Sequence, residues 1–262
     1  MRLVTFNILG GRSPGEERVD VARFARAVHA LDPDVLALQE VDRGQERTQH
    51  ADLTAVAAGA MGAVDHRFVA ALAGTAGATW TAATGDEHPD SAAYGVALLS
   101  RHPVRSWEVV RLPAMPGRAP WFWPGSRLPR LVRDEPRVAV AAAVEGAAGH
   151  LTVATTHLSF LAGWNVVQLR RAVRALRAAP RPLVLMGDLN MSAGTARRAS
   201  GLWPVPSGPT FPVHAPTRRI DHVLVDDRRW AGGAGQVVDT GLSDHRALIV
   251  ELPRQDGEAA NR

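Results

Sequence analysis

Short, nearly continuous apolar runs of strand length recur along this chain, and several of them end on a carboxylate, an amide or an imidazole. The runs are Arg2 to Asn7, Asp34 to Glu40, Gly95 to Ser100, Arg137 to Val144, Leu151 to His157, Leu183 to Gly187, Ile220 to Val225 and Ala247 to Glu251. A run without alternation reads as a strand covered on both faces. Between the runs lie amphipathic stretches. Val21, Phe24, Val28 and Leu31 recur at helical spacing before Asp32-Pro33 stops the helix. Val166, Leu169, Val173 and Leu176 form a second stripe, with Arg170, Arg171, Arg174 and Arg177 off it. Those arginines read first as a solvated face and second as a phosphate-binding face. The alternation predicts an α/β chain whose buried sheet is covered by helices.

At 262 residues, 46% hydrophobic and 21% charged, the chain has the composition of a globular domain with a substantial core, not of a disordered segment. One domain is expected over 1–252, followed by a frayed tail over 253–262. The basic residues are all Arg and the formal net charge is +4, a weak pointer to an anionic substrate. The lack of cysteine excludes a disulfide framework, a thiolate metal site and a Cys nucleophile. Met1-Arg2 runs straight into a strand-like segment without a signal-peptide pattern, and no apolar run reaches the ~18 residues of a membrane span. A cytoplasmic monomer is the expectation.

The polar strand ends carry the chemistry. Asn7 closes the first run, Gln39-Glu40 the second, His157 a later one, and Gly187-Asp188-Leu189-Asn190 follows another. A carboxylate at the end of a buried strand is costly unless a metal, a hydrogen bond or a cation satisfies it. Phosphoester hydrolysis needs a cation on the non-bridging oxygens, a base for water, and donors for the charge that develops. Carboxylates with few protein ligands and retained waters suit Mg2+ or Mn2+, whereas the absence of Cys and of a close pair of His argues against structural zinc.

Thr5-Phe6-Asn7, Leu38-Gln39-Glu40, Leu98-Leu99-Ser100-Arg101, Thr156-His157-Leu158, Gly187-Asp188-Leu189-Asn190, Arg219-Ile220-Asp221-His222 and Ser243-Asp244-His245 follow one another along the chain. In this order they resemble the endonuclease/exonuclease/phosphatase superfamily, which includes deoxyribonuclease I-like nucleases, inositol polyphosphate 5-phosphatases and neutral sphingomyelinases. The resemblance implies a four-layer α-β-β-α sandwich of two packed, mostly antiparallel or mixed sheets flanked by helices. It implies Glu40 as the principal Mg2+ ligand, with Asn7 nearby and Asp244 completing the site. It gives Asp188 the task of orienting and deprotonating water, and Asn190 that of holding the water or a phosphate oxygen. His245 would contact the phosphoryl group with Asp221 accepting its other ring N–H, and His157 would serve the scissile phosphate or leaving group. Several nuclease members carry an aspartate two residues after the first-strand asparagine; Leu9 stands there in this chain, which counts against two tightly bound metals.

The substrate is less legible. Trp121-Phe122-Trp123 sits in the Pro- and Gly-rich stretch 113–136 and is open to three readings. The rings stack on bases, at ~1–3 kcal/mol per base, dip into a lipid interface, or pack a lid onto the core. Arg127, Arg130, Arg133 and Arg137 follow and are candidates to grip a second phosphate. Trp164 and Asn165 offer an aromatic surface and a polar contact. The expectation is a phosphodiesterase on a small or lipid-like phosphodiester. A DNA or RNA nuclease is the alternative enzyme, and a catalytically silent phosphoester-binding protein the alternative of another kind.

Overall fold

The computed structural model describes residues 1–76, 78, 80–122, 128–146 and 149–253. In chain order the strands are β1 (Arg2–Asn7), β2 (Val35–Arg43), β3 (Asp65–Ala73), β4 (Thr81–Ala82), β5 (Ala93–Ser100), β6 (Val104–Leu112), β7 (Ala119–Trp121), β8 (Arg130–Val132), β9 (Arg137–Gly146), β10 (Gly149–His157), β11 (Leu183–Asp188), β12 (Trp203–Pro204), β13 (Asp221–Val225), β14 (Gln236–Val238) and β15 (Ala247–Glu251). The helices are α1 (Val21–Leu31), α2 (Leu53–Met61), α3 (Trp164–Ala175) and α4 (Ala193–Ser200).

One sheet runs β14-β15-β1-β2-β5-β3-β4, the other β12-β13-β11-β10-β9-β6, and both mix parallel and antiparallel pairs. Their inner faces meet in one apolar layer, with Leu3, Val35, Leu98 and Val250 against Val140, Val153, Met186 and Val223. Outside the first sheet, Phe24, Val28, Leu31 and Leu53 of α1 and α2 cover Phe6, Leu36, Leu38 and Ile249. Outside the second, Leu169, Ala172 and Ala196 of α3 and α4 cover Leu183, Leu185 and Leu224. The four-layer sandwich expected from the resemblance is the architecture observed.

Local chemistry sets the helix ends. Asp20 accepts from Arg23 N at the start of α1, and Asp32, at φ 46°, turns the chain before Pro33. The sequence did not reveal α2, an Ala-rich segment with almost no apolar stripe; Asp52 caps it and Gly62, at φ 69°, ends it. Nor did it reveal β3, which carries the exposed His66 and Arg67 near its start, or β6, which is exposed at four of its nine residues. The segment expected as an open loop over 113–136 contains the β7–β8 hairpin. Trp123 and Arg127 lie outside the described residues, as does 254–262 of the expected tail.

Strand register gathers the polar ends on one edge. Asn7 pairs with Gln39 in the parallel β1–β2 pair, His157 with Asp188 in the parallel β10–β11 pair, and Asp188 with Asp221 in the antiparallel β11–β13 pair. Beneath this edge a buried polar link joins the sheets. Gln39 Nε2 donates to Thr5 Oγ1 at 3.1 Å in its own sheet and to Thr155 Oγ1 at 3.0 Å in the other.

Candidate active site

Backbone irregularity aims the first carboxylate. The β2–β5 register slips between Leu38 and Val41, and Glu40 adopts φ 55°, a conformation few side chains take without a tertiary reason. Glu40 thereby meets Asn7, whose Nδ2 donates to Glu40 Oε1 at 3.0 Å and to Asp188 Oδ2 at 3.1 Å. One buried amide thus bridges the carboxylates of the two sheets. Its own side-chain carbonyl accepts Leu9 N at 3.2 Å and so caps the turn after β1. Burial raises the Glu40 pKa above its ordinary value and the Asp244 charge adds to the rise, which the Asn7 hydrogen bond opposes. Among the described residues neither Glu40 nor Asp244 is in an ion pair.

Gly187 allows the facing edge to exist. It sits at φ 141°, and a Cβ there would lie 1.9 Å from Thr156 O, so the parallel strands close only around glycine. The next residue, Asp188, accepts Asn190 N through Oδ1 at 3.0 Å, while Asn190, at φ 51°, donates from Nδ2 to Leu158 O at 3.0 Å.

His245 spans the sheets from the foot of β15. Its Nδ1 lies 2.9 Å from Asp221 Oδ2 and its Nε2 3.7 Å from Asp188 Oδ2, while the ring of Phe211 packs 4.9 Å away. Burial alone would push the imidazole pKa down; the adjacent Asp221, with Asp188 and Asp244, outweighs it and lifts the value to about 10. Burial, reinforced by the charge of Asp221, raises Asp188 to about 7. Burial would raise Asp221 too, but His245 holds it below the ordinary carboxylate value. The proton therefore resides on the imidazole.

His157 is the opposite kind of histidine. Burial, then the Arg137 and His245 charges, push its pKa well below the usual value, so the ring is neutral. Arg137 can only donate, and its Nη1 lies 3.4 Å from Nδ1. Asn190 Nδ2, also a donor, lies 3.3 Å from Nε2, which is 3.5 Å from Asp188 Oδ2, so donors flank the ring on both sides.

The candidate substrate contacts divide. Arg137, expected to grip a phosphate, is only 6% exposed and sits between His157 and Glu135, with Nη2 3.4 Å from the Glu135 carboxylate. Asn165, expected as an open polar contact, is buried and donates from Nδ2 to the Asn190 carbonyl at 2.9 Å. It supports the site from behind, a correction that follows from the inward turn of its amide onto the Asn190 carbonyl. Trp164 is half-buried and ties Nε1 to Pro113 O at 3.1 Å. Trp121 packs edge-on against Phe160, ring centres 4.7 Å apart, which is the packing arrangement. Arg130 and Arg133 are exposed.

Two positioning residues escaped sequence reasoning. Thr210 Oγ1 donates to the same Asp221 oxygen that meets His245, and it comes from a loop with no motif. Ser243, at φ 63°, donates to Asn7 O at 2.6 Å and accepts His245 N at 3.1 Å, pinning the last motif to the first strand. Its place in the Ser243-Asp244-His245 motif was the available signal.

Ligand atoms of Asp188, Asp221 and His245 all lie within 4.8 Å of one another, close enough to hold a metal ion. The model of the Endonuclease/Exonuclease/phosphatase family matches residues 4–245. The chain belongs to this family. Family members are hydrolytic phosphoesterases, generally dependent on divalent metal. A family protein from Beutenbergia cavernae DSM 12333 is 25% identical, with a TM-score of 0.64 over 99% of this chain and 73% of that one. At 16% identity, the mannosyl-6-phosphatase of Bacteroides thetaiotaomicron VPI-5482 superposes with a TM-score of 0.60 over 97% of this chain and 99% of its own. Beta toxin from Staphylococcus aureus, 12% identical, gives 0.60 over 97% and 100%. These two likenesses establish the fold alone. No curated protein matches the chain. Among the described residues no helix is long and apolar enough to cross a membrane.

Proposed function

We propose that the protein is a Mg2+- or Mn2+-dependent phosphodiesterase acting on a small or lipid-like phosphodiester. The observation that carries this reading is the juxtaposition of two unneutralised carboxylates, Glu40 and Asp244, with a buried imidazolium clamped by two more. The donor set fits a hard divalent cation: carboxylate oxygens without a cationic partner, an amide beside them, and no sulfur. Glu40 and Asp244, with Asn7, would hold it, and bound there it would supply charge to the non-bridging phosphate oxygens.

The remaining roles belong to the chain itself. Asp188, raised to about 7, is poised to take a proton from water near neutral pH. Asn190, fixed by its left-handed backbone and by Leu158, orients that water. His245 donates to a phosphoryl oxygen when its Nε2–H turns from Asp188 to substrate, a contact that strengthens as negative charge gathers. His157, neutral and set between Arg137 and Asn190, would face the leaving-group oxygen as a hydrogen-bonding group and not as its proton source.

A lipid-like substrate is favoured by the β7–β8 hairpin, where Phe122, Leu128 and Leu131 are 59%, 76% and 64% exposed. Turnover of bis(p-nitrophenyl) phosphate tests the reading. Activity is expected with Mg2+ or Mn2+, lost in EDTA and restored by the metal. Undiminished turnover without metal would overturn the mechanism, and no turnover of any phosphoester would leave a silent binding protein. Nicking of plasmid DNA at a rate above the small diester would make it a nuclease.

A further inference from the structure

A groove of about 850 Å3 opens between the edges of the two sheets, beside the catalytic edge rather than on it. Arg43 from the end of β2, Arg67 from β3, Arg111 from β6 and Arg171 from α3 line it, with Glu87 and Glu108. We propose that this groove binds a second phosphoryl group of the substrate, beyond the bond that is cleaved. The proposal rests on the phosphoesterase reading only in making the ligand part of the substrate.

The arginines are left available. Among the described residues none of the four forms an ion pair. Arg43 stacks 4.8 Å over Phe68, and its Nε is buried with no hydrogen-bond partner. Arg67 lies 5.8 Å over Trp107. Arg111 gives one bond to Ala70 O at 3.2 Å, and its other terminal nitrogen occupies space that a Cβ at Gly85 would close, at 2.8 Å. Glu87 does not neutralise them, because the backbone N–H groups of Thr84 and Gly85 take its carboxylate. Such positions normally recruit carboxylates, since unpaired guanidinium groups facing one another repel.

Guanidinium forks match phosphate oxygens, and the stacked rings hold Arg43 and Arg67 in place. The volume lies within the ~300–1,000 Å3 of small-ligand sites. The groove also leads to the catalytic edge: Arg43 follows Glu40 by three residues on β2, and Leu112, next to Arg111, pairs with Arg137. A substrate reaching from one to the other would carry phosphoryl groups at both ends.

Arg67 and Arg171 are exposed, so R67Q/R171Q removes two guanidinium groups without opening the core. Calorimetry in EDTA with inorganic tripolyphosphate is expected to show binding to the wild type and to E40Q alike, weakened at least about tenfold in R67Q/R171Q, given the strength of charged hydrogen bonds. Equal binding to wild type and R67Q/R171Q, or none to either, would overturn the groove. Kinetically, R67Q/R171Q should keep wild-type turnover of bis(p-nitrophenyl) phosphate and raise KM only for a p-nitrophenyl diester with a second phosphate; unchanged KM for both would overturn its link to the substrate. If the wild type hydrolyses neither, the phosphoesterase reading fails while the calorimetry still decides the groove. A short single-stranded oligonucleotide in the same titration separates a nucleic-acid flank, bound tighter than tripolyphosphate, from a free phosphoryl group, bound no tighter; either result supports the site if R67Q/R171Q weakens it.

Discussion

Glu40 and Asp244 lack a cationic partner among the described residues, whereas Asp188 and Asp221 share the imidazolium of His245. The two clusters touch, through the Asn7 amide on one side and the Asp244-His245 peptide on the other. Burying a carboxylate is costly in both, yet the remedies differ. Around Glu40 the cost remains and its pKa rises; around Asp221 a proton and a hydroxyl meet it. One cluster is built to be completed by a cation, the other is complete with a proton. Separate completion lets charge on the phosphate and proton movement be tuned by different residues.

The largest expected effect breaks the proton cluster. His245→Ala and Asp221→Asn should each lower kcat by ~10²–10⁴-fold, the usual range for a positioned acid or base. The double variant should be little worse than the worse single, because partners acting as one unit are not additive. Multiplicative losses in steady-state kinetics would separate the pair.

Next is the backbone that holds the facing edge. Gly187→Ala would force a methyl group to 1.9 Å from Thr156 O, so a loss of several kcal/mol, on the order of 3 or more, is expected in chemical denaturation. A variant as stable as the wild type would show that β10 and β11 can part without cost.

A smaller effect belongs to the link under both clusters. Thr155→Val leaves Gln39 Nε2 without its cross-sheet acceptor and should cost ~1–3 kcal/mol, with kcat falling because the edges lose their registry. Unchanged stability and kcat would deny the link a role.

Acid should reveal a further buried group of similar size. His222 donates to Met191 O at 2.8 Å, and burial lowers its pKa to about 4. The unfolded chain takes up this proton near pH 6.5 and the folded chain only near 4, so stability falls as pH drops through that window. The loss between pH 7 and 5 should be ~2 kcal/mol greater in the wild type than in His222→Gln. Equal losses would show that His222 titrates normally.

Legibility in the sequence followed the same division. Asn7, Glu40, His157 and Asp188 stood out because polar side chains interrupt apolar runs, a contrast that needs no partner to be seen. Thr210 and the arginine groove were hidden because their meaning is tertiary: Thr210 is a loop residue until Asp221 is beside it, and Arg171, read second as part of a phosphate-binding face, meets Arg43, Arg67 and Arg111 only in the fold. Asn165 was misread for a related reason, since its position at the start of α3 says nothing about which way the amide faces. The helix α2 went unseen because alanine carries almost no stripe.

The division itself is tested by Mg2+ titration calorimetry of Glu40→Gln and Asp221→Asn beside the wild type. Asp188, Asp221 and His245 are close enough to hold an ion, but there it would compete with the proton on His245. The two-cluster account predicts that Glu40→Gln loses Mg2+ affinity by at least about tenfold, as expected for a missing charged ligand, while Asp221→Asn retains it. Affinity kept in Glu40→Gln and lost in Asp221→Asn would contradict it and move the metal to His245.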